Sequence, residues 1–175
     1  MSPFNLLLDI AARSKRNASE LPQQIEAVEY WRGVGFMLAG QRYVAQMSEA
    51  QEILQPPKVT KIPGVKSWVL GVANIRGRLV PIFDLAGFFD TSSGSDWRAR
   101  RVLVVEHGEQ LYGLLVDAVY GMNQFPVDEL NTSGVVVAEK VQPFVQGAFL
   151  KDGAQWPLLS FDELVQSAEF MQIAV

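Results

Sequence analysis

Cysteine is absent from the 175 residues, and histidine occurs once, as His107. The first absence excludes disulfides, thiolate nucleophiles and thiolate metal sites together, and a lone imidazole cannot build a zinc cluster. Excess positive charge is also missing: 15 Lys and Arg stand against 19 Asp and Glu, a net charge of -4. A nucleic-acid binder normally shows a basic face, so this balance points to protein partners. Lys58, Lys61, Arg76, Asp117, Lys140 and Lys151 interrupt the apolar runs well before the roughly 18 residues that a membrane helix needs. In the opening segment MSPFNLLLDIAARSKR the positive charges follow the apolar patch, Asp9 falls within it, and no cleavage site comes after. That is not the order of a secretory signal, and a cytoplasmic location with no membrane insertion is expected.

Catalytic patterns are equally scarce. The chain has no G-x-S-x-G elbow, no G-x-x-x-x-G-K-[ST] loop and no G-x-G-x-x-G turn. The stretch FFDTSSG, residues 88 to 94, is close to the Asp-Thr-Gly of aspartic proteases, but no Gly follows Thr91 and no second such loop exists. That chemistry needs two carboxylates sharing a proton. His107 sits in the turn EHGEQ and reads as an exposed imidazole without a partner. No enzyme, cofactor or metal is expected.

What the chain does have is apolar sequence, 49% of its residues, broken by 14 glycines and 9 prolines. At this length about 70% of the unfolded surface is buried on folding, enough for a real core. Ser2 as N-cap, Pro3, and Phe4, Leu7, Leu8 and Ala11 on one face predict a helix ending near Arg16, followed by a polar linker to about Gln24. Residues 1–30 form an extension and 31–175 the main body. There the texture is of short strands: hairpins turning at Gly40, Gly108 and Asp152-Gly153, then a helix over 161–175 opened by a Ser160 to Glu163 capping box.

The hairpins repeat. Gly71, Gly77, Pro81 and Ile82 recur as Gly147, Gly153, Pro157 and Leu158, 76 residues on, and Gly40 recurs as Gly108. The reading is a mainly β fold of two small barrels side by side. Lobe one covers about 31–95 and lobe two about 96–160, with exchange of strands between them left open. On this reading Phe36 and Leu38 face one core and Leu103 and Val105 the other. The other reading of the recurrence, that glycine and proline simply mark turns in any β protein, leaves the fold all-β.

Between two apolar runs of the segment IPGVKSWVLGVANIRGRLVPIFDL lie Arg76, Gly77 and Arg78, and a turn does not ask for arginines. The segment closely resembles the signature of the CheW family, the coupling proteins of bacterial chemosensory systems. GFMLAGQRYVAQMSEAQEIL, YGLLVDAVYGM and FVQGAFLKDGAQWPLLSFDELV resemble the family's first hairpin, second-lobe segment and ending, so the resemblance spans about residues 31 to 166. It implies two SH3-like five-stranded β-barrels and a scaffold, without cofactor, that bridges the cytoplasmic tip of a methyl-accepting receptor to the regulatory domain of a CheA-type histidine kinase. A pilus-linked, twitching-motility (PilI-like) role fits at least as well as a flagellar one. Carried over by the resemblance as partner-binding residues are Glu52, Gly71, Asn74, Arg76, Gly77, Val116, Asp117 and Val119.

Each has a plainer reading as well. Gly71 suits a bulge or close packing, Asp117 a strand end, and Val116 and Val119 a core, while Arg76 could pair within its own chain with Glu52 or Asp84. Two functions of other classes stand as alternatives. One is a nucleic-acid-binding small barrel using Lys58, Lys61, Lys66, Arg76 and Arg78 as a basic stripe with Trp68 for stacking. The other is a hydrolase, for which no nucleophile, base and orienter can be named.

Overall fold

The computed structural model describes residues 29–91 and 94–174. The expected N-terminal helix lies outside them. The chain divides into units 1–30 and 31–175, and apart from Tyr30 every described strand and helix lies in the second.

The strands are β1 (Tyr30–Leu38), β2 (Gln41–Gln46), β3 (Ala50–Leu54), β4 (Val69–Ile75), β5 (Arg78–Asp84), β6 (Arg101–His107), β7 (Gln110–Val116), β8 (Ala118–Pro126), β9 (Leu130–Asn131), β10 (Val145–Lys151) and β11 (Ala154–Leu159). Among the described residues three short α-helices, α1 (Leu85–Phe88), α2 (Phe161–Gln166) and α3 (Ala168–Met171), accompany them. One sheet runs β8-β1-β2-β11-β10-β9 and the other β3-β6-β7-β5-β4. The fold is mainly β, with two SH3-like lobes, here called the first and second barrel in that order.

Neither barrel is a continuous stretch of chain, so lobes over 31–95 and 96–160 do not describe the sheets. The hairpin β1-β2 joins β11 of the far end, and β6-β7 lies between β3 and β5. Parallel pairing fixes this exchange, Leu158 beside Val44 in the first barrel and Ile82 beside Gly113 in the second. The first barrel also has six strands rather than five, the extra one being the two-residue β9.

The repeat is structural to the residue in the signature hairpins. Register shifts at Val69/Gly71 and again at Val145/Gly147, so both glycines sit at bulges, and Pro81 and Pro157 occupy matching rungs. Both bends are two-residue turns with positive φ at each centre: Arg76 (51°) and Gly77 (78°), then Asp152 (53°) and Gly153 (74°). This is the primed turn whose twist matches that of the strands. The other correspondence is off by one. Ala39-Gly40 has positive φ at both positions, whereas Gly108 takes the first place of its turn, so Gly108 matches Ala39 rather than Gly40.

Three apolar clusters arise from the alternation of strand side chains. Val44, Phe125, Phe149, Trp156 and Leu158 fill the first barrel, and Ala73, Ile75, Val80, Ile82, Val102, Val104 and Leu115 the second. The largest cluster lies between the sheets, where Phe36, Leu38, Leu103 and Val105 meet Phe83, Leu114, Phe161, Leu164 and Phe170. The four residues assigned from sequence to separate cores therefore share one. On β6 the even-numbered Val102 and Val104 point into their barrel and the odd-numbered Leu103 and Val105 point out of it, into the common layer.

The single helix expected over 161–175 is two. Ser167 leaves the helical conformation (φ −67°, ψ 142°), and its Oγ accepts from the Phe170 N–H at 3.2 Å, which starts α3. Ser160 caps α2 as its pattern predicts, accepting from the Glu163 N–H at 3.2 Å. The returning half of the box is replaced: the Ser160 N–H donates to the Phe144 carbonyl at 2.9 Å.

Candidate functional site

Arg76 occupies the first central position of the β4-β5 turn in the left-handed region, which costs a non-glycine residue about 1 kcal/mol. Two contacts hold the bend. Asn74 Oδ1 accepts the Gly77 N–H at 2.9 Å, and Arg76 Nη2 donates to Glu52 Oε1 at 2.9 Å. Glu52 comes from β3, the opposite edge of the same sheet, and just beyond it a bridge between Thr60 and Val72 brings the two edges together. The ion pair thus spans the seam of one barrel and does not tie the two lobes together. Asp84 is engaged elsewhere, with Arg100 Nη2 at 2.8 Å.

The pair does not explain why an arginine is there. Its side chain is 79% exposed against 25% for Glu52, and exposed ion pairs contribute about 0 to 1 kcal/mol. Beside it opens a hollow of about 260 Å³ at the barrel mouth, lined by Glu52, Arg76, Arg78 and Glu106 over a floor that includes Ile75, Val104 and Leu111. Arg78 Nη2 donates to the Glu109 carbonyl at 2.8 Å and so frames the other side. Leu79, opposite Asn74 on β5, is 71% exposed. It shares a face with Phe83, which is buried in the central layer, but lies beyond that layer's edge. Charged groups around an apolar floor, next to a bare leucine, can recognise a protein surface.

The candidate residues divide into two groups. Glu52, Asn74, Arg76 and Gly77 meet at the mouth of the second barrel. Gly71 lies on the same hairpin, where an added Cβ would stand 2.0 Å from the Thr60 carbonyl oxygen, so close packing of the seam requires glycine. Val116, Asp117 and Val119 lie where the chain passes from β7 to β8, from one sheet to the other. Val116 is fully buried in the central layer, and Val119 packs against it partly buried. Asp117 is 1% exposed. Its Oδ2 accepts the Ala39 N–H at 2.8 Å, and its Oδ1 stands 3.8 Å from Arg100 Nη2. Val116 and Asp117 are thus taken up by packing and hydrogen bonding within the chain.

Two other readings change. His107 is not without a partner: its Nδ1 lies 2.8 Å from Asp162 Oδ1 on α2. Trp68 is buried among Phe83, Phe88 and Phe170 and offers no face to a nucleic-acid base. The exposed indole is Trp97, 48% accessible, which sequence reasoning passed over. A tryptophan directly between Asp96 and Arg98, outside any alternating run, is the signal that could have marked it. Among the described residues no three His, Asp or Glu side chains gather as metal ligands, and no helix is long and apolar enough to cross a membrane.

A family model described as the CheW-like domain matches residues 32–169. The chain belongs to the CheW-like family. It is 46% identical over 174 residues to Protein PilI of Pseudomonas aeruginosa, covering 99% of this chain and 97% of that one. It is 31% identical over 113 residues to Chemotaxis protein CheW of Helicobacter pylori, covering 65% and 68%. The crystal structure of scaffolding protein TtCheW from Thermoanaerobacter tengcongensis superimposes with a TM-score of 0.70 over 81% of this chain and 96% of that one, at 24% identity, which speaks to the fold. The match to Protein PilI over nearly the full length marks this chain as a PilI-like member of the family.

Proposed function

We propose that this CheW-like chain is a non-enzymatic adaptor that couples a methyl-accepting receptor to a CheA-type histidine kinase in an array serving type IV pilus twitching motility. It works in the cytoplasm at membrane-associated receptor arrays, and takes no cofactor and no nucleic acid. Its contacts are the kinase regulatory domain and the cytoplasmic tip of the receptor. Glu52, Asn74, Arg76 and Gly77 form the recognising surface at the barrel mouth, Gly71 closes the seam of that barrel, and Val116, Asp117 and Val119 hold the passage from one sheet to the other.

The observation that carries this reading is the exposed Arg76, held in a left-handed turn where the equivalent turn of the other barrel has Asp152. Asp-Gly makes that turn more easily. A planar guanidinium with five donors is suited to a partner's carboxylates. The test is binding of the receptor tip and the kinase regulatory domain by Arg76→Asp and by the reversed pair Glu52→Arg with Arg76→Glu. Both proteins should keep their melting temperatures and bind at least one partner about tenfold more weakly, or about 1.4 kcal/mol. Full binding by the reversed pair would reduce Arg76 to a clasp on its own barrel. Binding of both partners unchanged within about twofold in Arg76→Asp would remove the site altogether.

A further inference from the structure

Away from the barrel mouth, a second hollow of about 330 Å³ opens on the same barrel, lined by Pro57, Lys58, Val59, Lys61, Leu70 and Trp97. Its walls are fixed. The strap that carries the lysines is pinned to β4 on both sides of the Thr60/Val72 rung, by Thr60 N–H to Val72 carbonyl at 2.8 Å and Val72 N–H to Thr60 carbonyl at 3.0 Å. Trp97 lies over the guanidinium of Arg100, 5.8 Å from its ring centre, and Arg100 is itself buried and tied to Asp84 at 2.8 Å. The indole is thus seated from beneath while 48% of the residue faces outward.

The charge of this place is opposite to that of the chain. The net charge is -4, yet no acidic residue lines the hollow, and neither Lys58 nor Lys61 pairs with a carboxylate among the described residues. Asp96 and Arg98 flank Trp97 and offset one another. A seated tryptophan over an apolar floor is a common anchor of a binding surface, and two ammonium groups at its rim, paired with no described carboxylate, select the sign of what docks.

We propose that this hollow is a docking site for an acidic peptide segment that inserts one apolar side chain beside Trp97 and sets carboxylates against Lys58 and Lys61. The site is separate from the barrel mouth and stands whether or not the mouth binds the receptor or the kinase. The same lysines could attract a nucleic acid, but the proline, valine and leucine walls fit an aliphatic side chain better than a stacked base.

The test uses the full chain and three labelled probes followed by fluorescence anisotropy: a helical peptide of glutamate and leucine, its lysine and leucine counterpart, and a single-stranded oligonucleotide. The acidic peptide should bind, and more weakly as salt rises; the basic one should not. Lys58→Glu with Lys61→Glu, two exposed changes that leave the core untouched, should weaken the acidic peptide at least about tenfold, as should Trp97→Ala. Arg76→Asp should leave it unchanged, which keeps this outcome distinct from that of the barrel mouth. Equal binding of both peptides, or binding by the lysine variant within about twofold of the parent, would overturn the proposal. So would an oligonucleotide held more tightly than the acidic peptide and lost with the same lysines.

Discussion

Asp117 Oδ2 accepts the backbone N–H of Ala39 at 2.8 Å, across 78 residues of sequence. A carboxylate at the passage from one sheet to the other thereby holds the turn of the first hairpin. That turn needs holding, because Ala39 has φ 51°, a conformation that costs a non-glycine residue roughly 1 to 2 kcal/mol. The Asp117 N–H adds a bond to the Met37 carbonyl at 3.0 Å, and Arg100 lies near enough to offset the buried charge.

Asp117→Ala leaves the Ala39 N–H without its acceptor and Arg100 with one carboxylate in place of two. The expected loss is on the order of 3 kcal/mol, in the range for orphaned buried donors and broken buried pairs. Urea unfolding measures it, with the slope unchanged if the change lies in stability alone. A loss below about 0.5 kcal/mol would mean that water replaces the carboxylate at the turn.

Local chemistry was legible in the sequence and distant pairing was not. The turn at Asp152-Gly153 and the cap at Ser160 depend on a few adjacent residues, and each stands where the pattern puts it; for Gly71 the sequence admits a bulge or close packing, and the structure has both. The exchange of strands rests instead on short parallel pairings, one rung from Leu158 to Val44 and three beginning at Ile82 and Gly113, that no periodicity encodes. The misassignment of Leu103 and Val105 follows from it: alternation says that they face away from Val104, not what covers them. His107 likewise finds Asp162 at a separation of 55 residues, beyond any motif. At the barrel mouth the signature segment supplied Asn74, Arg76 and Gly77, but the role of Leu79 needs the edge of the central layer, which only packing defines.

The shared layer makes a prediction about cooperativity. Leu103 is fully buried between the sheets, so Leu103→Ala should cost about 2 to 5 kcal/mol. Because Phe36 and Leu38 of the first barrel border the same space, the amides of β1 and β2 should lose protection from hydrogen exchange together with those of β4 and β5. Loss confined to β4 and β5 would show two cores that unfold independently.

Glu49, on the crossing from β2 to β3, makes the remaining link between the sheets' connection and α2. Its carboxylate accepts from the Phe161 N–H at 3.0 Å and from Ser160 Oγ at 3.4 Å. Burial nevertheless dominates these bonds and raises its pKa above the ordinary 4.5, with the nearby Asp162 charge adding in the same direction. A carboxyl whose pKa is raised by folding binds its proton more tightly in the folded state. Its favourable contribution is therefore complete below the unfolded value and lost as pH rises through the folded one. Glu49→Gln keeps an acceptor oxygen for the helix end and removes the titration. Relative to this variant the parent should lose stability as pH rises from about 4 toward neutral. Denaturant midpoints of the two proteins across that range give the comparison. A parent that gains on the variant toward neutral pH would show that the hydrogen bonds at the start of α2, and not burial, govern this carboxylate.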